Sequence, residues 1–302
     1  MPLLVAGSIG IDDVKTPAES RKGLLGGSAS YAAVAASFFS PVRLVGVVGE
    51  DFPDKYRVMF REKGIDQEGL KTEKGKTFYW AGEYFQDLNQ RRTLAVELNV
   101  FERFQPELPP AYQDTDYVLL GNLGPALQSR VVDQVKRPRF IMADTMDFYI
   151  GSARPDLMAL LKRVDAVCMN DGEARQLTGE NNLIKAGKML LGHGPKFAVI
   201  KKGEHGSLLF SGDRFFSAPA YPLEEVFDPT GAGDTFAGAL AGYLASVGRT
   251  DFDALRQAVI VGSAVASFNV EAFSLERLLT LKRVDIDARC RAFRDISRID
   301  EA

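Results

Sequence analysis

The chain has 302 residues, 46% of them hydrophobic and 25% charged, with a formal net charge of -3. That is the composition of a globular protein with a sizeable core. No basic domain stands out beyond the short pairs Arg91-Arg92 and Lys201-Lys202, which excludes nucleic acid as the expected main partner.

Met1 to Gly7 lacks a basic start and a long apolar stretch, so no signal peptide is expected. Nowhere does an apolar run approach the roughly eighteen residues of a spanning helix, so no membrane partner is expected and the cytoplasm is the default location. Leu3 to Ile9 reads as a buried first strand. Gly26-Gly27 opens an alanine-rich helix from Ser28 to Phe39, which Pro41 ends. Val42 to Val48 is a second strand, and Phe52 to Lys63 a helix stopped by Gly64. Thr77 to Phe85 and Arg92 to Val100 are rich in strand formers and flank a turn at Asp87-Leu88-Asn89-Gln90. They predict a hairpin standing off the main body. Its aromatics either pack on a core or cover a pocket or a second subunit.

Beyond residue 101, apolar strands and helices alternate. Tyr117 to Leu120, Arg139 to Ala143, Ala166 to Met169 and Phe197 to Ile200 are the strands. Pro125 to Lys136, Pro155 to Arg163, Asp171 to Thr178 and Leu183 to Leu191 are the helices. This rhythm predicts a mostly parallel sheet with helices on both faces. Ser207 to Phe210 and Arg214 to Ser217 flank a tight turn and predict an antiparallel hairpin. Helices follow over Ala232 to Val247, Asp251 to Phe268, Leu275 to Leu281 and Ile286 to Arg298. With no repeat or low-complexity linker, residues 1–302 read as one domain carrying a small β-rich appendage. Cys168 lies in an apolar run and reads as a buried thiol. Cys290, His193 and His205 have no partners at metal-ligand spacing.

Asp228-Pro229-Thr230-Gly231-Ala232-Gly233-Asp234-Thr235-Phe236 carries the chemistry. Phe236, Leu240, Tyr243, Leu244 and Val247 share one face of the helix that follows, so the glycine turn enters a buried helix at its N-terminus. Unpaired N–H groups and the positive dipole end suit an anion there, and glycines remove the Cβ atoms that would block it. Asp234 is either an N-terminal cap or a proton acceptor for an attacking hydroxyl. The paired glycines and the second acid, Asp228, favour the acceptor. A Walker loop is absent, and the Gly-x-Gly-x-x-Gly pattern fails at Phe236, which disfavours a nucleotide-dependent oxidoreductase.

This stretch closely resembles the C-terminal signature of the ribokinase (PfkB) family of sugar and nucleoside kinases. Other features of that family occur in order: Gly7-Ser8-Ile9 with Asp12, Gly26-Gly27 before the alanine-rich helix, Asn170-Asp171-Gly172-Glu173, and Lys202-Gly203-Glu204-His205-Gly206. The resemblance implies a three-layer α/β/α sandwich with a β lid formed by about residues 11–25 and 71–101. It implies an ATP-dependent phosphotransferase acting on a hydroxyl of a sugar or sugar-like molecule, with a nucleoside as the alternative acceptor. Asp234 would be the base, and the backbone of Gly231, Ala232 and Gly233 the anion hole. Asn170 and Glu173 would organise magnesium and the ATP phosphates, although their spacing also fits a capping box. Lys202, Gly203, Gly206, Thr230 and Ser263 would lie along the nucleotide, with tight turns and helix packing as the other readings of the glycines and of Ser263. Asp12, Gly26, Gly27 and Tyr31 would meet substrate. Asp228 with Thr230 would sit beside a potassium-like ion. The chain departs from ribokinase at Gly10 and Tyr31, where that enzyme has asparagines that contact sugar. An aromatic at position 31 suits a flat base, or packing. Asp144, closing a strand, is a candidate for substrate or metal without a motif behind it. The protein would act as a monomer or as a homodimer through the lid.

Overall fold

The computed structural model describes residues 1–296. Its strands are β1 (Leu3–Ala6), β2 (Gly10–Lys15), β3 (Ser20–Gly26), β4 (Val42–Gly49), β5 (Ile65–Glu73), β6 (Phe78–Tyr84), β7 (Arg91–Glu97), β8 (Tyr117–Leu120), β9 (Phe140–Asp144), β10 (Ala166–Asn170), β11 (Phe197–Lys201), β12 (Ser207–Ser211) and β13 (Arg214–Ala218). Its helices are α1 (Ser28–Ser37), α2 (Asp54–Glu62), α3 (Pro125–Gln134), α4 (Asp147–Ser152), α5 (Arg154–Leu161), α6 (Asp171–Thr178), α7 (Leu183–Gly192), α8 (Ala232–Val247), α9 (Phe252–Asn269), α10 (Glu276–Thr280) and α11 (Arg283–Ile296).

Nine strands form the main sheet in the order β13-β12-β11-β10-β9-β8-β1-β4-β5. Its pairs are parallel from β5 through to β11, and β12 and β13 add an antiparallel edge. Both faces are covered, which is why β1, β8 and the first four residues of β10 are apolar without alternation. Leu3 and Val5 point into a core shared with α1, α8 and α9. Leu4 and Ala6 point to the opposite core, shared with α3, α5, α6 and α7. The result is the predicted three-layer α/β/α arrangement.

Small residues decide how closely the helices on the first face approach. A Cβ on Gly238 would stand 2.2 Å from the Ala32 carbonyl oxygen, and one on Gly242 2.8 Å from the Ala36 Cα. The alanine-rich helix α1 and the glycines of α8 are therefore two halves of one contact. It holds the N-terminus of α8 above the carboxyl ends of the strands. In open α/β sheets that is where ligands bind.

A second sheet, ordered β3-β2-β6-β7, stands against the first. Its outer strand β7 leaves Leu94 and Val96 more than half exposed, at 53% and 52%.

The first strand ends at Ala6 rather than Ile9, with the Gly7 N–H making the last ladder bond to the Val45 carbonyl. Strand β5 was not predicted. Its sequence, Ile-Asp-Gln-Glu-Gly-Leu-Lys-Thr-Glu, is charged because it is the edge of the sheet, where charges discourage pairing with other chains. The short helix α4 was also not predicted. The last helix starts at Arg283 rather than Ile286, and its predicted end at Arg298 lies outside the described residues.

Candidate active site

Neighbouring parallel strands end at Asp144 (β9), which pairs with Cys168, and at Asn170 (β10) and Lys201 (β11), which pair with each other. Lys201 Nζ donates to Asp144 Oδ2 at 2.9 Å, and both side chains are nearly buried. The other Asp144 oxygen accepts the Thr145 N–H at 2.8 Å, while its carbonyl accepts the buried Gln128 side-chain amide. Burial opposes the charge on Lys201, but Asp144, Cys168, Glu173 and Asp234 together outweigh it and raise its pKa.

Asn170 and Glu173 form the capping box that their spacing allows. Asn170 Oδ1 accepts the Glu173 N–H at 2.8 Å, and Glu173 Oε2 accepts the Asn170 N–H at 2.7 Å. One Glu173 oxygen remains. Burial, with Asp144 adding to it, pushes this carboxyl up to about 7.

Gly231 caps α8 in the left-handed region, with φ 74°. Ala232 N–H is used on the Pro229 carbonyl at 3.2 Å, and Thr235 N–H on the Gly231 carbonyl at 2.8 Å. Among the described residues no acceptor meets the N–H groups of Gly231, Gly233 and Asp234. A positive helix end with free donors is thus present, and Ala232 does not add to them. Asp234 lies in the first turn, half-buried. Burial and the charge of Asp144 push it up to about 7, while Lys201 and Arg91 pull the other way.

Asp228 is fully buried. Its Oδ1 accepts the Thr230 N–H at 2.9 Å and its Oδ2 accepts the Ser274 N–H at 3.0 Å. Thr230 meets the Tyr84 hydroxyl at 3.1 Å, and its carbonyl accepts the Asn269 side-chain amide at 2.9 Å. Asp228 thereby ties the turn to the α9–α10 loop and, through Ser274 Oγ and the Leu25 carbonyl, to the second sheet.

Asp12 on β2 is 4% exposed, and its Oδ1 has no partner. Burial, then the charges of Asp228, Asp234 and Asp13, push it to about 8. A Cβ on Gly26 would fall 2.0 Å from Asp12 Oδ2, so glycine is required there for the carboxylate to keep its place. Gly27 begins α1 at φ 88°, where a Cβ would meet the Ser8 carbonyl oxygen at 2.5 Å. Gly10 has a similar reason, because a Cβ would reach the Phe78 ring at 2.6 Å. Tyr31, expected at substrate, is 2% exposed, and a Cβ on Gly231 would stand 2.3 Å from its ring. It packs beneath the glycine turn.

Lys202 donates its N–H to the Gly206 carbonyl at 2.7 Å and closes a tight turn in which Gly203 (φ 55°) and Gly206 (φ 80°) are both left-handed. A Cβ on Gly206 would strike the Ala218 carbonyl oxygen at 2.0 Å, which accounts for that glycine by packing alone. The β6–β7 turn reaches this loop, where Asn89 donates to Glu204 at 2.8 Å. Ser263 sits half-buried on α9 and makes no side-chain hydrogen bond among the described residues.

The fold therefore brings Asp12, Asp228, Asp234 and the glycine turn near one another, and sets Asn170, Glu173, Asp144 and Lys201 at adjacent strand ends, where Lys201 reaches Gly233. Lys201 was missed as a site residue. It stands next to Lys202, which fell inside the recognised motif. Only the strand register shows that residue 201 is the one that ends level with Asn170.

Clustered carboxyls also set a pH dependence. Asp12, Glu173 and Asp234 titrate in the folded chain well above the ordinary carboxylate range. Between that range and about pH 8 the folded state binds more protons than the unfolded one, so these groups lose stability as pH rises. Ligand-free protein is expected to lose more stability between about pH 5.5 and 8.5 than its Asp12→Asn variant, measured by thermal melting. Parallel melting curves for the two proteins would remove Asp12 as a raised carboxyl.

A family model described as pfkB family carbohydrate kinase matches residues 6–279. The cytidine kinase of Thermococcus kodakarensis is 32% identical over 255 residues, which is 80% of this chain and 88% of that protein. The crystal structure of aminoimidazole riboside kinase from Salmonella enterica, complexed with aminoimidazole riboside and an ATP analogue, superposes with a TM-score of 0.78 at 20% identity, covering 96% of this chain and 100% of that one. Ribokinase from Giardia lamblia gives 0.79 at 19% identity, covering 96% and 99%. Among the described residues no helix is long and apolar enough to cross a membrane. The chain is a phosphotransferase, and it belongs to the pfkB family of carbohydrate kinases.

Proposed function

We propose that the protein transfers the γ-phosphoryl group of ATP to a sugar hydroxyl of a nucleoside, with a pyrimidine nucleoside such as cytidine as the first candidate. The observation that carries the acceptor class is the similarity to a cytidine kinase along most of both chains. The site's chemistry is compatible with it. Asp12 is a buried carboxyl whose Oδ1 has no hydrogen-bond partner, and a sugar hydroxyl supplies one. Asp234 takes the proton of the attacking hydroxyl. The phosphorus–oxygen bond to the β-phosphate breaks as the bond to the sugar oxygen forms, and ADP leaves. The free N–H groups of Gly231 and Gly233 hold the phosphoryl oxygens in flight.

A magnesium ion fits beside Glu173, at the end of β10. Glu173 offers a hard oxygen not used by the capping box, in a buried carboxyl that a cation would relieve. Asn170 lies beside it at the strand end. Magnesium bound there would neutralise charge on the ATP phosphates. Asp228, considered for a monovalent cation, has a structural role that accounts for its burial. The four-stranded sheet acts as a lid over the acceptor and excludes water. Its tip meets the Gly203 loop through Asn89.

The test is ADP release with ATP and magnesium across cytidine, other nucleosides and ribose. Cytidine or another nucleoside is expected to give the highest kcat/KM. Turnover of ribose above every nucleoside would overturn the acceptor assignment.

A further inference from the structure

Lys201 is a buried ammonium among carboxyls, and its placement is specific. Its three donors meet one acceptor among the described residues, Asp144 Oδ2 at 2.9 Å. Its nitrogen also stands 3.0 Å from where a Cβ on Gly233 would be, with Cε at 3.7 Å and Cδ at 3.9 Å. The side chain therefore crosses from the end of β11 to the glycine turn and presents its charge where that turn offers free N–H groups. Two strand ends hold it there: Asp144 through the ion pair, and Asn170 through the register that aligns it with Lys201.

We propose that Lys201 is a catalytic residue that donates to the transferring phosphoryl group from beside the backbone of Gly231 and Gly233, and that Asp144 is the positioning residue that aims it. This rests on the phosphoryl-transfer reading above. Charge that develops on the phosphoryl oxygens meets the helix N-terminus and the adjacent ammonium together, with water largely excluded from the Lys201–Asp144 pair. Asp144 is needed because an untethered lysine chain samples many rotamers, and a paired one arrives already oriented. A purely structural Lys201 would only balance Asp144, Glu173 and Asp234. It would have no preference among nucleotides.

That difference supplies the experiment. Binding of ADP and of a non-hydrolysable ATP analogue, each with magnesium, is measured by calorimetry for wild type, Lys201→Met and Lys201→Arg, alongside kcat on the best acceptor. Lys201→Met is expected to weaken the ATP analogue about tenfold more than ADP, and to lower kcat by about 10²–10³. Lys201→Arg keeps the charge and is expected to recover part of both. Equal losses for the two nucleotides, or no loss with kcat within about threefold of wild type, would overturn the proposal. If Lys201→Met does not fold, Lys201→Met combined with Asp144→Asn removes both buried charges and is read in the same way. The binding arm needs no product, so it stands apart from the phosphoryl-transfer reading. A wild type that turns over no acceptor fails that reading, whereas a γ-phosphate preference unaffected by Lys201 fails this one.

Discussion

Asp234→Asn is expected to lower kcat by about 10²–10⁴ while nucleotide affinity stays within a few-fold of wild type. The amide has nearly the same shape as the carboxyl, so it can occupy the same place in the first turn of α8 and leave the backbone donors where they are. What it loses is the ability to take the hydroxyl's proton. It also loses a negative charge near Asp144, so binding of anionic ATP should not suffer. The pH profile separates this from simple misfolding. Burial holds Asp234 at about 7, so the wild-type kcat/KM should fall as pH drops through that value, where the base becomes protonated. The acid limb should vanish from the residual activity of the variant. Steady-state ADP release across pH checks both parts. Near-wild-type turnover by Asp234→Asn would remove it as the base.

How this site could be read in the sequence depends on what kind of signal each residue leaves. The turn from Gly231 to Asp234 is local. Its glycines, acid and following helix are consecutive, and α8 runs over the residues its periodicity predicted. The strands β8 and β10 were equally legible, because strands buried on both faces are short apolar runs. Glu173 with Asn170 was legible as a pair but not as a choice between roles, since the capping box forms and still leaves one carboxylate oxygen over. Lys201 and Asp144 left no local signal. They are 57 positions apart and meet only because β9, β10 and β11 lie in register. Tyr31 shows the opposite hazard. An aromatic beside a substrate motif resembles a base-stacking residue, yet the close approach of α8 to α1 puts its ring beneath Gly231. Strand β5 was missed because a sheet edge is written in charges rather than in apolar residues.

Gly231→Ala joins these two lines, because that one position carries both the backbone of the anion hole and the packing of Tyr31. At φ 74° an alanine occupies the left-handed region, which costs about 1 kcal/mol or more on its own. Its Cβ would also stand 2.3 Å from the Tyr31 ring, a separation that no rotamer of alanine can relieve. Tyr31 has little room to retreat, being buried in the core shared by α1 and α8. The turn must therefore move, and the N–H groups of Gly231 and Gly233 move with it. Displacing preorganised donors by about an ångström is expected to cost roughly 10²-fold in kcat. The melting temperature should fall as well, by about 4 °C or more for a loss of a few kcal/mol in a chain of this size. Tyr31→Ala in the same background is the decisive control. Removing the ring gives the new methyl space, so the double variant should regain part of the lost kcat even though it melts no higher than Gly231→Ala. If strain at φ 74° were the whole effect, the double variant would recover nothing, and the turn would owe its shape to its own backbone rather than to the helix beneath it.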